Sequence, residues 1–288
     1  MNHTLIYAHR GANREAAENT RSAFERALRY PIDGIETDVQ LSRDGIAVLW
    51  HDRFLGKVGL PDQHIDDFDL QDLQAMNFAA HFSPSPLPNP DGTTSHSTKA
   101  SNNDAQVAGY LPQAGEGANE SLREFHITHP ESLMTLQSFV DAYRQRCRLL
   151  LEIKNRDWET PARQELKVRM TLAMSGIDQA IRVSSFHLDS LVYAHQIAPD
   201  FPLIYNVEPE QTTAELQRIV TENPFLHGLC LPITTLNETI VRLLRDHQKC
   251  IAVYTCNSDA QINLALALGV DILISDVPQK ALQMRSER

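Results

Sequence analysis

The chain has 288 residues, 42% of them hydrophobic and 22% charged. That is enough apolar material for one large domain or two modest ones, and it excludes a disordered polyelectrolyte. Lys and Arg number 26 against 37 Asp and Glu, a formal net charge of −11, which argues against a surface that wraps nucleic acid or coats an anionic membrane, although a local cationic pocket stays open to it.

In chain order the first element is the apolar run Leu5 to Ala8, entered without a basic leader. No stretch of 18 apolar residues follows anywhere, so neither export nor membrane spanning is expected. An amphipathic helix then carries Ala23, Phe24, Ala27 and Leu28 on one face, with Asn19 or Thr20 as its cap. Further strands are expected at Ile32 to Val39, Ile46 to Trp50, Arg148 to Ile153, Ile181 to Ser185, Pro202 to Val207, Gly228 to Leu231, Ile251 to Thr255 and Asp271 to Ser275. Helices fall between most of them. Thr160-Pro161 has the form of a cap followed by proline at the first helical position, Asp189 and Ser258 precede periodic stretches, and Leu236, Ile240, Leu243 and Leu244 repeat at helical spacing. Cys147, Cys230, Cys250 and Cys256 form no C-x-x-C pair and sit in apolar stretches, so they are expected to be buried thiols in a reducing compartment, the cytoplasm by default.

Repeated strand-helix units favour an α/β fold with a parallel sheet, closed as a (β/α)8 barrel or open and doubly wound. No G-x-G-x-x-G follows the first strand, which weakens the dinucleotide-binding form of the open sheet. Nine candidates stand where a barrel needs eight. The surplus has a source in Asp44-Gly45, a hairpin signal between two alternating runs, so one of the two flanking strands is expected to be an antiparallel arm. From Ser83 to about Glu120, Pro84, Pro86, Pro88 and Pro90 alternate and then Ser, Thr, Asn and Gly dominate. This inserted segment, after the third strand, cannot build a core and is expected to be a partly disordered rim, with an ordered lid as the alternative, inside a domain that otherwise spans 1–288.

Polar residues gather where strands end: His9-Arg10 after the first, Glu36 and Asp38 on the second, His51-Asp52 after the third, Glu152 and Lys154 on the fourth. In a barrel those ends make the active-site face. Period-two alternation puts Glu36 and Asp38 on one face, and the turn sets where His51 lands. A two-residue turn pairs it with Asp38, a four-residue turn with Glu36, and a three-residue turn would place it opposite Thr37 on the other face. Glu36, Asp38 and Glu152 together must bind a cation or raise their pKa values, and all-oxygen ligation suits Mg²⁺ or Ca²⁺. Glu152 pairing with Lys154 is the bland alternative. With an ion bound, Arg10, Lys154 and a protonated histidine make the pocket cationic, which suits a phosphate. Two histidines can then divide proton removal from an attacking hydroxyl and proton donation to a leaving alkoxide.

The set His9-Arg10-Gly11, Glu18-Asn19-Thr20, Glu36-x-Asp38, Asp44-Gly45, His51-Asp52, Glu152-Ile153-Lys154, Ser185-Phe186, Tyr254-Thr255-Cys256-Asn257 and Gly269-Val270-Asp271 resembles glycerophosphodiester phosphodiesterases from end to end, apart from the insertion. The resemblance implies an irregular TIM barrel that hydrolyses glycerophosphodiesters to glycerol 3-phosphate and an alcohol. It implies His9 and His51 as the acid/base pair, Arg10 and Lys154 as phosphate-side cations, and Glu36, Asp38 and Glu152 as ligands of a divalent cation. Departures are Ala17 for the usual proline before Glu18, Phe54 to Gly59 in place of an Arg-Thr-Thr-like loop, and Ser275-Asp276 for the terminal Thr-Asp. Competing readings are a phospholipase D-like or phosphoinositide-cleaving relative, which the lack of a basic or aromatic docking stretch disfavours, and a noncatalytic phosphate-ligand binder. The partner expected is a small-molecule substrate, with no nucleic acid and no stable membrane association. His64, His81, His96, His126, His129, His187, His195, His227 and His247 lack metal spacing, and Trp50, Phe186, Tyr205 and Tyr254 are expected to pack more than to line a pocket.

Overall fold

The computed structural model describes residues 3–82, 130–176, 178 and 180–288. The expected insertion at 83–120, and with it His96, lies outside the described residues, as do His126 and His129. Strands β1 (Leu5–His9), β2 (Gly34–Leu41), β4 (Arg148–Ile153), β5 (Ile181–Ser185), β6 (Leu203–Asn206), β7 (Gly228–Pro232), β8 (Cys250–Tyr254) and β9 (Ile272–Ser275) run parallel. They close into a ring because β1 pairs with both β9 and β2. Helices cover the outside, which makes the fold a (β/α)8 TIM barrel. Each strand foreseen in the sequence is present, with ends moved by no more than two residues.

Period two sorts every strand into an outer and an inner face. On β4, Leu149, Leu151 and Ile153 join the large core shared with the helices, while Leu150 joins an inner set with Tyr7, Ile204, Cys230, Ala252, Ile272 and Ile274. The inner face continues upward from that apolar layer. Two residues beyond Tyr7 is His9, two beyond Leu150 is Glu152, and two beyond Ile204 is Asn206. The polar rim is therefore the next turn of the same alternation. Tyr7 fits inside the barrel because Gly34 faces it: a Cβ there would stand 2.6 Å from the tyrosine ring.

The ninth strand, β3 (Ala47–Leu49), is the antiparallel arm, paired with the upper end of β2 through Val39–Leu49, Gln40–Val48 and Leu41–Ala47. Glu36 O accepts from Arg10 N and Asp38 O from Trp50 N, whereas Val39 O accepts from Lys154 N. Alternate carbonyls point to opposite edges, so β3 lies above β1 on one edge of β2 and stays out of the ring. The turn is a three-residue loop, Arg43-Asp44-Gly45, closed by Ser42 N–H donating to Ile46 O at 3.0 Å, with Gly45 at φ +79°. This corrects the register argument. Extending the observed pairing sets His51 opposite Thr37, neither Asp38 nor Glu36. His51 reaches the site because the last ladder bond is Trp50 N–H to Asp38 O, after which the chain leaves the strand.

A satellite core of Val48, Trp50, Leu55, Ile65, Leu73, Phe78 and Leu133 underlies this arm. Burying side chains of that size is worth about 1.5–3 kcal/mol each, and it fixes the segment that follows β3. Caps fall largely where the sequence places them: Thr20 before Arg21–Ala27, Thr160 before Pro161–Ser175 and Ser258 before Asp259–Ala267, each side chain accepting from an N3 amide. Asp189 instead sits in the first turn of Leu188–Ile197, with His187 as the cap residue. All four cysteines are unpaired; Cys230 and Cys256 are buried, whereas Cys147 and Cys250 are only partly so. Among the described residues no helix is long and apolar enough to cross a membrane.

Candidate active site at the carboxyl rim of the barrel

His9 ends β1, and the chain then turns sharply through Arg10 at φ +57° and Gly11 at φ +83°. A Cβ on Gly11 would lie 2.7 Å from the backbone carbon of Ala23, so only glycine lets the loop cross the first helix this closely. The turn aims Arg10 back over the barrel mouth. Its Nε is 3.1 Å from Asp38 Oδ2 and its Nη1 is 3.1 Å from Glu18 Oε2.

Glu36, Asp38 and Glu152 converge, with ligand oxygens all within 4.8 Å of one another. Asp38 is fully buried and receives Asn19 Nδ2 at 2.9 Å, while Asn19 accepts from Thr37 at 2.7 Å. Lys154 Nζ lies 3.0 Å from Asp38 and 2.5 Å from Glu152, so the lysine pairs with Glu152 and also serves the pocket. Burial opposes the charge on Asp38, yet the charges of Lys154, Arg10 and His51 and the Asn19 hydrogen bond hold it well below the usual range. Glu36 goes the other way: burial first, then the charges of Asp38 and Glu152, raise it well above the usual range. Its Oε2 has no hydrogen-bond partner among the described residues, and His9 Nε2 stands 3.8 Å away.

Each histidine is backed by a carboxylate. His9 Nδ1 is 2.6 Å from Asp276 Oδ1, just past β9, and His51 Nδ1 is 2.8 Å from Asp52 Oδ1. Asp276 is itself held by Asn13 and Asn257 at 2.7 Å each. Burial alone would raise Asp276, but hydrogen bonds from His9, Asn13 and Asn257 bring it well below the ordinary carboxylate value. With Nδ1 committed in both rings, Nε2 is the atom left for chemistry.

His9, Arg10, Glu36, His51, Glu152 and Lys154 all line one cavity of about 200 Å³, walled on its outer side by Phe186 and Tyr254, whose rings meet edge to face at 6.0 Å. Asp38 lies beneath it. All seven residues singled out in the sequence thus meet in one place. Phe186 and Tyr254 line the pocket, which packing alone did not anticipate, whereas Trp50 packs on Phe78 and Tyr205 is buried. Sequence reasoning assigned no site role to Asp276, although it stands in the Ser275-Asp276 that replaces the family's terminal Thr-Asp, nor to Lys57, inside the Phe54 to Gly59 departure. His81, given no site role in the sequence, lies close enough to Lys57 for that charge, after burial, to lower its pKa.

The acidic trio fits a hard divalent cation. Three carboxylates supply only oxygen donors, and one carries a buried oxygen with no hydrogen-bond partner among the described residues. A second set, Glu18, His51 and Asp52, also brings ligand atoms within 4.8 Å. There Lys57 Nζ already lies 2.7 Å from Glu18 and 2.9 Å from Asp52, so the protein supplies its own cation.

Similarity to known proteins spans nearly the whole chain. The family model described as the glycerophosphoryl diester phosphodiesterase family matches residues 9–280. A glycerophosphodiester phosphodiesterase of Bacillus altitudinis is 28% identical over 295 residues, covering 99% of each chain, and one of Bacillus subtilis is 24% identical over 283 residues, covering 95% of this chain and 84% of that one. Among solved structures, a phosphodiesterase of Oleispira antarctica in complex with the product sn-glycerol-3-phosphate superposes with a TM-score of 0.73 at 21% identity, covering 99% of this chain and 98% of that one. The glycerophosphodiester phosphodiesterase of Thermotoga maritima gives 0.68 at 20% identity, covering 99% of each.

Proposed function

The chain belongs to the glycerophosphoryl diester phosphodiesterase family, and from that premise we propose that it cleaves glycerophosphodiesters to glycerol 3-phosphate and an alcohol, with His9 and His51 as the acid/base pair. The observation that carries this reading is that two carboxylate-backed imidazoles open on one cavity beside three clustered acids. A glycerol hydroxyl loses its proton to one imidazole as its oxygen attacks phosphorus. The other imidazole protonates the departing alkoxide, which is a poor leaving group otherwise. The products of that half-reaction are a cyclic phosphate and the free alcohol. Water then opens the ring with the two histidines exchanging roles, giving glycerol 3-phosphate.

Glu36, Asp38 and Glu152 would hold Mg²⁺ or Ca²⁺, which when bound orients the phosphate and neutralises its developing charge. Arg10 and Lys154 now neutralise Asp38, Glu18 and Glu152, and their donors also face the cavity, where phosphate oxygens would sit. The four unpaired thiols suit a reducing compartment, and this reading places the enzyme in the cytoplasm.

The test is glycerol 3-phosphate release from a panel of glycerophosphodiesters, with and without chelator. Activity is expected to vanish on chelation and return with Mg²⁺ or Ca²⁺. His9→Ala and His51→Ala are each expected to lose on the order of 10²–10⁴-fold in kcat. Activity that survives chelation would sink the metal assignment, and full activity in either alanine variant would sink the acid/base assignment.

A further inference from the structure

We propose that Lys57 is a positioning residue that holds the His51 arm of the site in register with the Arg10 arm; this rests on the hydrolase reading above. The lysine comes from a 3-10 turn, Gly56–Val58, in the loop where the sequence departs from the family pattern. Leu55, fully buried in the satellite core, anchors that turn, and Nζ passes 5.8 Å from the Trp50 ring. Its placement is thus set by the arm below β3 and owes nothing to the barrel strands.

Nζ divides its donors between two carboxylates, 2.7 Å to Glu18 Oε1 and 2.9 Å to Asp52 Oδ2. Each carboxylate spends its other oxygen on a site residue: Asp52 Oδ1 on His51 Nδ1 at 2.8 Å, and Glu18 Oε2 on Arg10 Nη1 at 3.1 Å. Arg10 continues to Asp38. One unbroken path of charge-assisted contacts therefore runs His51, Asp52, Lys57, Glu18, Arg10, Asp38.

His51 lies one residue beyond the last ladder bond, Trp50 N–H to Asp38 O; Arg156 holds its backbone carbonyl at 2.6 Å, and Asp52 Oδ1 holds its ring, so the strut acts on the imidazole. Asp52 keeps part of its side chain in solvent. Without the ammonium its side chain has no partner besides His51 among the described residues and is free to swing toward solvent, and His51 then loses the hydrogen bond that selects its tautomer. Among the described residues the other titratable groups whose charge is felt together with Lys57 are Glu18, Asp52 and His81. The ammonium thus bridges two acids, Glu18 and Asp52, that would otherwise repel.

Two measurements on Lys57→Met, Lys57→Arg and Asp52→Asn/Lys57→Met test this. In kinetics with a glycerophosphodiester, Lys57→Met is expected to lower kcat by roughly 10–100-fold, the usual cost of a lost orienting partner, with KM moved much less. Lys57→Arg, which keeps a charged donor, should recover most of the loss, and the double variant should fall no further than Asp52→Asn alone. In long-range ¹H–¹⁵N spectra, neutral His51 should carry its proton on Nδ1 in the unmodified protein and become a tautomer mixture in Lys57→Met. An unchanged tautomer with kcat within twofold, or losses that multiply in the double variant, would overturn the proposal. The spectra read the strut without turnover. A protein inactive on every diester but with the expected tautomer change would overturn the hydrolase reading and leave the strut standing.

Discussion

His9 and Asp276 lie 267 positions apart in the chain, yet their Nδ1 and Oδ1 atoms are 2.6 Å from each other. The contact exists because β9 closes on β1, with Ser275 paired to Ala8. Asp276 fixes the imidazole's tautomer and leaves Nε2 facing Glu36 and the cavity. Asp276→Asn is expected to lower kcat for glycerol 3-phosphate release on the order of 10²-fold, with the circular dichroism spectrum unchanged. Wild-type turnover in that variant would remove the dyad from the mechanism.

Glu36 makes a pH prediction in the metal-free protein. Its folded pKa is raised by burial, Asp38 and Glu152 above the ordinary value of 4.5. The folded state then keeps a proton that the unfolded chain has released. That contribution to stability is complete below the unfolded value and is lost as pH rises through the raised one. Asp38, shifted the opposite way, loses its contribution only in acid below its ordinary 3.8. Near pH 8 and with chelator present, Glu36→Gln should therefore melt higher than the unmodified chain. Adding Mg²⁺ or Ca²⁺ should stabilise the unmodified chain and leave Glu36→Gln unmoved. Melts that respond identically in the two proteins would contradict both assignments.

Lys167 concerns stability. Its side chain is fully buried, pairs with the almost fully buried Glu159 at 2.6 Å, and also donates to the carbonyl of Lys154. Lys167→Met strands a buried carboxylate and is expected to cost about 3–5 kcal/mol in urea unfolding. Lys167→Met/Glu159→Leu should regain most of it, since the unpaired charge causes the loss. A double variant as unstable as the single one would assign the cost to packing instead.

Gly11 and Gly176 separate two causes of glycine dependence. Both have positive φ, +83° and +62°, but a Cβ meets the Ala23 backbone at 2.7 Å in the first and nothing within 4 Å in the second. Gly176, at ψ 167°, sits in an extended positive-φ region that essentially only glycine adopts, so Gly176→Ala should cost about 1–2 kcal/mol for the backbone alone. Gly11→Ala should cost more, about 2–3 kcal/mol, and should reduce activity because the displaced loop carries Arg10. Equal costs in thermal unfolding would show that the close approach relaxes freely.

Much of the architecture was legible because its signals are local. Leu149-Leu150-Leu151 is buried on both faces and reads as a parallel strand, Thr160-Pro161 starts a helix, and Asp44-Gly45 turns the surplus strand back as an arm. The three acids were legible too, because period two on β2 and β4 carries Glu36, Asp38 and Glu152 inward above an apolar layer. The register of β3 was not. A loop of two, three or four residues fits the same Asp-Gly, and the choice made here depends on Gly45 taking a positive φ within a three-residue turn.

What the sequence determined by itself is therefore the order of strands and helices and the identity of the groups at the strand ends, since both follow from side-chain periodicity and backbone preference within a few residues. Only the tertiary structure decided that β1 closes on β9 to set Asp276 behind His9, and that Lys57 reaches across from the arm to join Asp52 with Glu18. Those contacts join segments whose spacing along the chain carries no periodic signal. Their geometry is set by ring closure and by the packing of the satellite core, which are properties of the whole assembled chain.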